Sequence, residues 1–169
     1  MRGQTIGKTM PYGYAGSYSR QPDMVVDTHP LGGNDSVAFG APLAYATDGT
    51  VAAFGSTTTA ANFAGVAARE VKSATDYWDL NTGVYRPGEA VPVFKRGRVN
   101  VICQKGTPAT NGKVYIRTKA NASYPAATVG GFEAAADSTN TVELTNARWR
   151  GAADANGVAE LSILTMINA

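Results

Sequence analysis

The chain has one cysteine, one histidine and only 17% charged residues, low against an average of about 25%. A lone Cys103 excludes an intramolecular disulfide, and with it a secreted disulfide scaffold. It continues the period-two set of Val99 and Val101, so it is expected to be buried and free. A lone His29 leaves little room for an imidazole metal site. Any Ser-His-Asp or Cys-His arrangement would have to use this same residue, set between Thr28 and Pro30 in a segment poorly suited to holding a base rigidly against a nucleophile. No window approaches the roughly 18 apolar residues of a membrane helix, and the first twenty residues contain no apolar h-region. The expectation is a chain with no membrane partner, assembled in a reducing cytoplasm. A net charge of +2 is too small to make nucleic acid the main partner.

What remains is apolar and rich in turns. With 169 residues and 44% apolar content, the chain is long enough to bury one core. Nineteen glycines and eight prolines leave few places for a long helix, which favours an all-β fold. The central stretch is Val84 to Lys119, where Pro87-Gly88, Gly97, Gly106 to Pro108 and Asn111-Gly112 separate apolar runs in the manner of a β-meander. Val91, Val93, Val99, Val101, Cys103, Val114 and Ile116 recur with period two and define one apolar face. Phe94 and Ile102 break the alternation, so the other face is expected to be partly covered, by a second sheet or a neighbouring chain.

Residues 1–35 differ from the rest. Their only short apolar run is Met24 to Val26, too little to form a core, so they are expected to be an extended N-terminal arm ordered by contact with another chain. The β-domain, residues 36–169, begins with a strand carrying a glycine kink over 36–46, a turn at Thr47 to Thr50 and a return strand at 51–54. Residues 62–74 fit helix and strand about equally, and are read as a short turn followed by a strand. Later short runs are expected at 128–133, 141–144, 147–150 and 158–165. Eight or nine short strands describe a sandwich or small barrel.

No motif carries catalytic chemistry. The stretch Gly3 to Thr9 resembles a phosphate-binding loop, but it has three rather than four residues between its glycines, and no strand precedes it. Asp79-Leu-Asn81-Thr-Gly83 and Asp154-Ala-Asn156-Gly157 have the flavour of calcium loops, but they lack the further oxygen ligands; Asx turns explain both. The 13 acids are dispersed singly. No catalytic residue, cofactor or metal is therefore expected. The contact-forming residues are more informative. Tyr12, Tyr14 and Tyr18 stand in a segment whose charges are Arg2, Lys8 and Arg20, and tyrosine suits burial in a protein groove. Lys95, Arg96 and Arg98 cluster at what reads as a turn, expected to face an acidic strip on another subunit. Trp78, Trp149 and Phe132 are expected to close the core or a subunit contact.

Three stretches then carry a resemblance: MPYGYAGSYSRQPDM, PGEAVPVFKRGRVNVICQKGTPATNGKVYIR and GGFEAAADSTNTVELTNARWRGAADANGVAELSIL. Together, from about Met10 to Leu164, they resemble the structural cement, or head decoration, proteins of tailed bacteriophages. Residues before Met10 fit less well. The resemblance implies a small β-barrel, β-tulip or jelly-roll-like sandwich that binds the outer capsid surface after the shell expands. It further implies that the chain clamps neighbouring major capsid protein subunits, has no catalytic site, and assembles as a homotrimer or, as second choice, a homodimer. Alternatives are a glycan-binding β-sandwich or adhesin-like virion surface protein, and a hydrolase with dispersed acids.

Overall fold

The computed structural model describes residues 11–70 and 82–166, apart from the side chain of Pro22. Among them run eleven strands: β1 (Tyr18–Pro30), β2 (Val37–Ala38), β3 (Pro42–Tyr45), β4 (Val51–Ala53), β5 (Phe63–Ala67), β6 (Val84–Tyr85), β7 (Ala90–Lys105), β8 (Lys113–Arg117), β9 (Phe132–Glu133), β10 (Thr141–Trp149) and β11 (Val158–Ile163). The all-β expectation holds. Over 60–67 the ambiguous stretch is a 3₁₀ turn followed by β5, as Gly65 and β-branched Val66 favour.

Strand β7 organises the sheet. It pairs with β1, β5, β9 and β11, and the circuit β7–β11–β10–β8–β9 returns to β7, so this part of the sheet closes into a barrel. Closure removes exposed edges. Beyond it the sheet continues through β5 and β3 to β4, while β2 and β6 form a separate pair. The meander expected around β7 is not formed. Gly97 lies inside one continuous sixteen-residue strand, and β9 lies between β7 and β8.

Alternation along β7 feeds two cores. Val91 and Val93 enter a cluster with Leu31, Val37, Leu43, Val51 and Tyr85. Phe94, Val99 and Val101 enter the barrel interior with Val114, Ile116, Leu144, Trp149 and Leu161. The phase break at Phe94 thus marks the change from one core to the other, and the second face is covered by this chain's own strands. Ile102, by contrast, is 52% exposed. Cys103 is free as expected but only half-buried, because it sits where β7 turns from β11 toward short β9.

Part of the expected N-terminal arm pairs within this chain. Residues 18–30 are strand β1, antiparallel to β7, and residues before it also lie on the body. Gly16 N–H donates to the Asn100 carbonyl at 2.7 Å, Asn100 N–H to the Ser17 carbonyl at 2.9 Å, and Arg69 N–H to the Gly16 carbonyl at 2.8 Å. Gly16 has φ +80, and a Cβ there would lie 2.8 Å from the Ala67 carbonyl oxygen, so only glycine allows this approach. The segment has little apolar surface of its own, yet backbone groups of β7 bind it within this chain. Tyr18, Met24 and Val26 then add apolar contact against the barrel core.

Candidate interaction surface

β1 and β7 set most of the predicted contact residues side by side. Arg20 opposes Arg98 and Val25 opposes Arg96; four residues of β1, 21–24, thus stand against the single Gly97 of β7, and the surplus residues bulge over it. Gly97 has φ +111, and a Cβ there would lie 2.7 Å from the Asp23 carbonyl oxygen, so the bulge requires glycine beneath it. Lys95, Arg96 and Arg98 are therefore not at a turn. They lie in mid-strand on both sides of this crossing.

Each finds a carboxylate within the chain. Lys95 Nζ lies 2.8 Å from Asp27 Oδ2, Arg96 Nη2 2.8 Å from Asp23 Oδ1, and Arg98 Nη1 3.5 Å from Glu160 Oε1. Arg20 Nε reaches the same Glu160 oxygen at 3.0 Å. The Lys95 ammonium hydrogen bond and charge hold the Asp27 carboxyl below the usual carboxylate range. Burial is the largest single influence on Lys95 and acts to lower its pKa, but the hydrogen bonds and charges of Asp27 and Tyr45 together outweigh it and raise the pKa. Within the chain, then, Asp27, Asp23 and Glu160 meet these cations.

The three tyrosines play different parts. Tyr12 is held through its backbone: its N–H donates to Asp154 Oδ2 at 3.0 Å and its carbonyl accepts from Asn100 Nδ2 at 2.8 Å. Tyr18 packs on Phe94 with ring centroids 5.6 Å apart, and its hydroxyl donates to the Glu70 carboxylate; burial and this acid raise its pKa. Tyr14 stands out from the body, 67% exposed, under the Arg69 guanidinium at 4.3 Å. Of the three, Tyr14 presents the most ring surface to a partner. Arg2, Lys8, the Gly3 to Thr9 stretch, Trp78, Asp79 and Asn81 lie outside the described residues.

Asp154 confirms the turn reading of its motif. Its Oδ1 accepts from the N–H groups of Asn156 at 2.9 Å and Val158 at 3.0 Å. Burial pushes its carboxyl up, but these bonds and that from Tyr12 pull it down on balance. Among the described residues no three His, Cys, Asp or Glu side chains gather closely enough to hold a metal ion.

Sequence reasoning missed two features. One is a buried ion network: Arg117 forks onto Glu133 and also reaches Asp137 Oδ2 at 2.7 Å, with Lys105 Nζ 3.4 Å from the same oxygen. Glu133 and Asp137 read as scattered acids beside GGFEAAAD, and nothing local marks their convergence. The other is a cleft of about 470 Å³ beside β1, whose lining includes Arg20, Arg98, Arg150 and Ser162. Arg148 and Arg150, both in β10's neighbourhood, alternate with inward Ala147 and Trp149, which was the available signal.

A barrel-like β-domain with exposed Tyr14 and a basic cleft at β1 presents surface suited to contacts rather than catalytic groups gathered in a site. More narrowly, the chain belongs to the structural cement protein family of phages (E217 gp24/Pam3 gp6), whose family model matches residues 3–164. It is thus a phage capsid cement protein, associated with the capsid shell of the virion. Among solved structures it is similar to a chain in the capsid of Myoviridae phage XM1, with TM-score 0.71, 17% identity, and coverage of 99% of this chain and 100% of that one. This likeness establishes a shared fold. The N-terminal base of the head fibre gp8.5 of bacteriophage phi29 also matches, with TM-score 0.41, 13% identity, and coverage of 86% and 98%. A comparison with curated proteins found no match.

Proposed function

We propose that this cement protein binds the outer surface of the phage head after expansion and clamps neighbouring major capsid protein subunits, stabilising the shell without catalysis. It assembles on its particle as a homo-oligomer, with a trimer preferred over a dimer, and joins the head in the host bacterial cytoplasm. The observation that carries this reading is the N-terminal segment. It is fastened to β7 by backbone hydrogen bonds, yet it holds Tyr14 two-thirds exposed under the Arg69 guanidinium. A rigidly held, exposed tyrosine offers large amphipathic area at small entropic cost, which suits an interface anchor. The contact set comprises Tyr14 and Arg20, with Tyr12, Lys95, Arg96 and Arg98 at its margin and Arg2 and Lys8 preceding it in sequence.

The experiment is reconstitution of heads from the same phage that lack this chain. Added protein should saturate at a copy number set by the shell's symmetry and raise the temperature at which heads burst. Unchanged burst temperature at full occupancy, or binding inside the shell, would overturn the proposal.

A further inference from the structure

Cross-strand register builds a row of basic side chains on the outside of the barrel. Arg148 on β10 opposes Ser162 on β11, Ser162 opposes Arg98 on β7, and Arg98 opposes Arg20 on β1. Their sequence neighbours Trp149, Leu161 and Val99 fill the core, so the alternation of the strands points this row outward. Arg150 lies two residues beyond Arg148 and shares the cleft with Arg20 and Arg98. Beneath it is Glu160, whose side chain is only 4% exposed and is taken by Arg20 and Arg98.

The charges do not balance. Arg20, Arg96, Arg98, Arg148 and Arg150 face two carboxylates, Asp23 and Glu160, which leaves an excess of three positive charges in one patch of a chain whose formal total is +2. Asp23 is paired with Arg96. Arg148 donates to the Ala147 carbonyl at 2.8 Å. Arg150 is exposed and makes no ion pair among the described residues. Leu164, 52% exposed, forms an apolar wall of the same cleft.

We infer that this cleft is a docking site for an acidic segment of the coat protein, in which carboxylates seat on Arg150, Arg20 and Arg98 and a neighbouring apolar side chain lies against Leu164. The inference rests on the capsid-binding reading above and names the surface and the chemistry that serve it. Guanidinium forks match carboxylates in a bidentate way. The cleft is local, not a long basic track, and the modest net charge gives little of the phosphate neutralisation that drives nucleic-acid binding.

The test uses the full chain and heads of the same phage that lack it. Arg150→Glu should keep the wild-type melting temperature, since no ion pair is lost, but weaken head binding by about tenfold at low salt. The difference should shrink at high salt, where charge contacts are screened. Lys119→Glu, an exposed charge reversal outside the cleft, should bind as wild type does. Wild-type affinity for Arg150→Glu, or equal losses for both variants, overturns the docking site and leaves the capsid reading standing. Failure of the wild-type chain to bind heads overturns the capsid reading itself. Arg150-dependent competition by duplex DNA assigns the cleft to nucleic acid and overturns the acidic-segment inference.

Discussion

Arg117 Nε donates to Glu133 Oε1 at 2.5 Å and its Nη2 to Oε2 at 3.1 Å, with both side chains fully shielded from solvent. The pair bridges β8 and β9 and so joins two strands of the closed circuit. Gln104 Nε2 adds a bond to Glu133 Oε1 at 3.1 Å, and Asn121 Nδ2 one to Asp137 at 3.0 Å. The network thereby ties the long 118–131 connection back to the barrel. Removing one partner leaves the other charge buried and unpaired, which costs about 3–5 kcal/mol. Arg117→Met should therefore lower the denaturant midpoint substantially, and the double variant Arg117→Met with Glu133→Leu should recover much of the loss. A single variant as stable as wild type would refute this role.

The same network predicts acid sensitivity. Hydrogen bonds from Arg117 and then Asn121 hold the Asp137 carboxyl down at about 2, below its unfolded value of about 3.9. A carboxyl depressed by folding contributes stability that is present above the unfolded value and is lost as pH falls through the folded one. Thermal stability should accordingly fall between about pH 4 and pH 2. Asp137→Asn should be less stable at neutral pH and show a shallower decline over that window; an equally steep decline would remove Asp137 from the account.

Gly97 is expected to be intolerant of any side chain. Its φ of +111 and the 2.7 Å approach of the Asp23 carbonyl oxygen mean that Gly97→Ala must either strain the backbone or displace the β1 bulge. A strained position costs roughly 1–3 kcal/mol, so the melting temperature should drop by several degrees. Hydrogen exchange should quicken at Met24 to Val26, where β1 rejoins β7. Unaltered exchange there would show that the bulge does not depend on glycine.

Tyr14 and Tyr18 should separate binding from folding. Tyr18→Ala removes the packing on Phe94 and the bond to Glu70, and should lower the melting temperature. Tyr14→Ala loses mainly the contact with Arg69, so stability should hold while occupancy on heads falls. The reverse pattern would move the anchor from Tyr14 to Tyr18.

Burial raises the Cys103 thiol pKa, which lowers its thiolate fraction near neutral pH. Labelling of the native protein by a thiol reagent should be slower than labelling in denaturant, by about tenfold or more. Equal rates would show that the half-buried site gives no protection.

The sequence by itself determined the class of fold: scarce charge, frequent turn residues and period-two valines leave an all-β body as the arrangement that buries the apolar face. It also marked Val91, Val93, Val99 and Val101 of β7 as facing a core, because strand alternation is a local property, while exposed Ile102 and half-buried Cys103 depart from the burial expected of them. It marked the phase break at Phe94, but not that the two phases serve two cores within one chain. Only tertiary structure decided the rest. Pairing across strands distant in sequence brought Asp23 and Asp27 to Arg96 and Lys95, drew Glu160 under Arg20 and Arg98, and joined Arg117 to Glu133. Such contacts depend on register, which no local pattern specifies. The same pairing made residues 18–30, expected as part of an arm ordered by another chain, a strand on this chain's own β7, since a segment poor in apolar side chains still carries backbone N–H and C=O groups that a strand edge will bind.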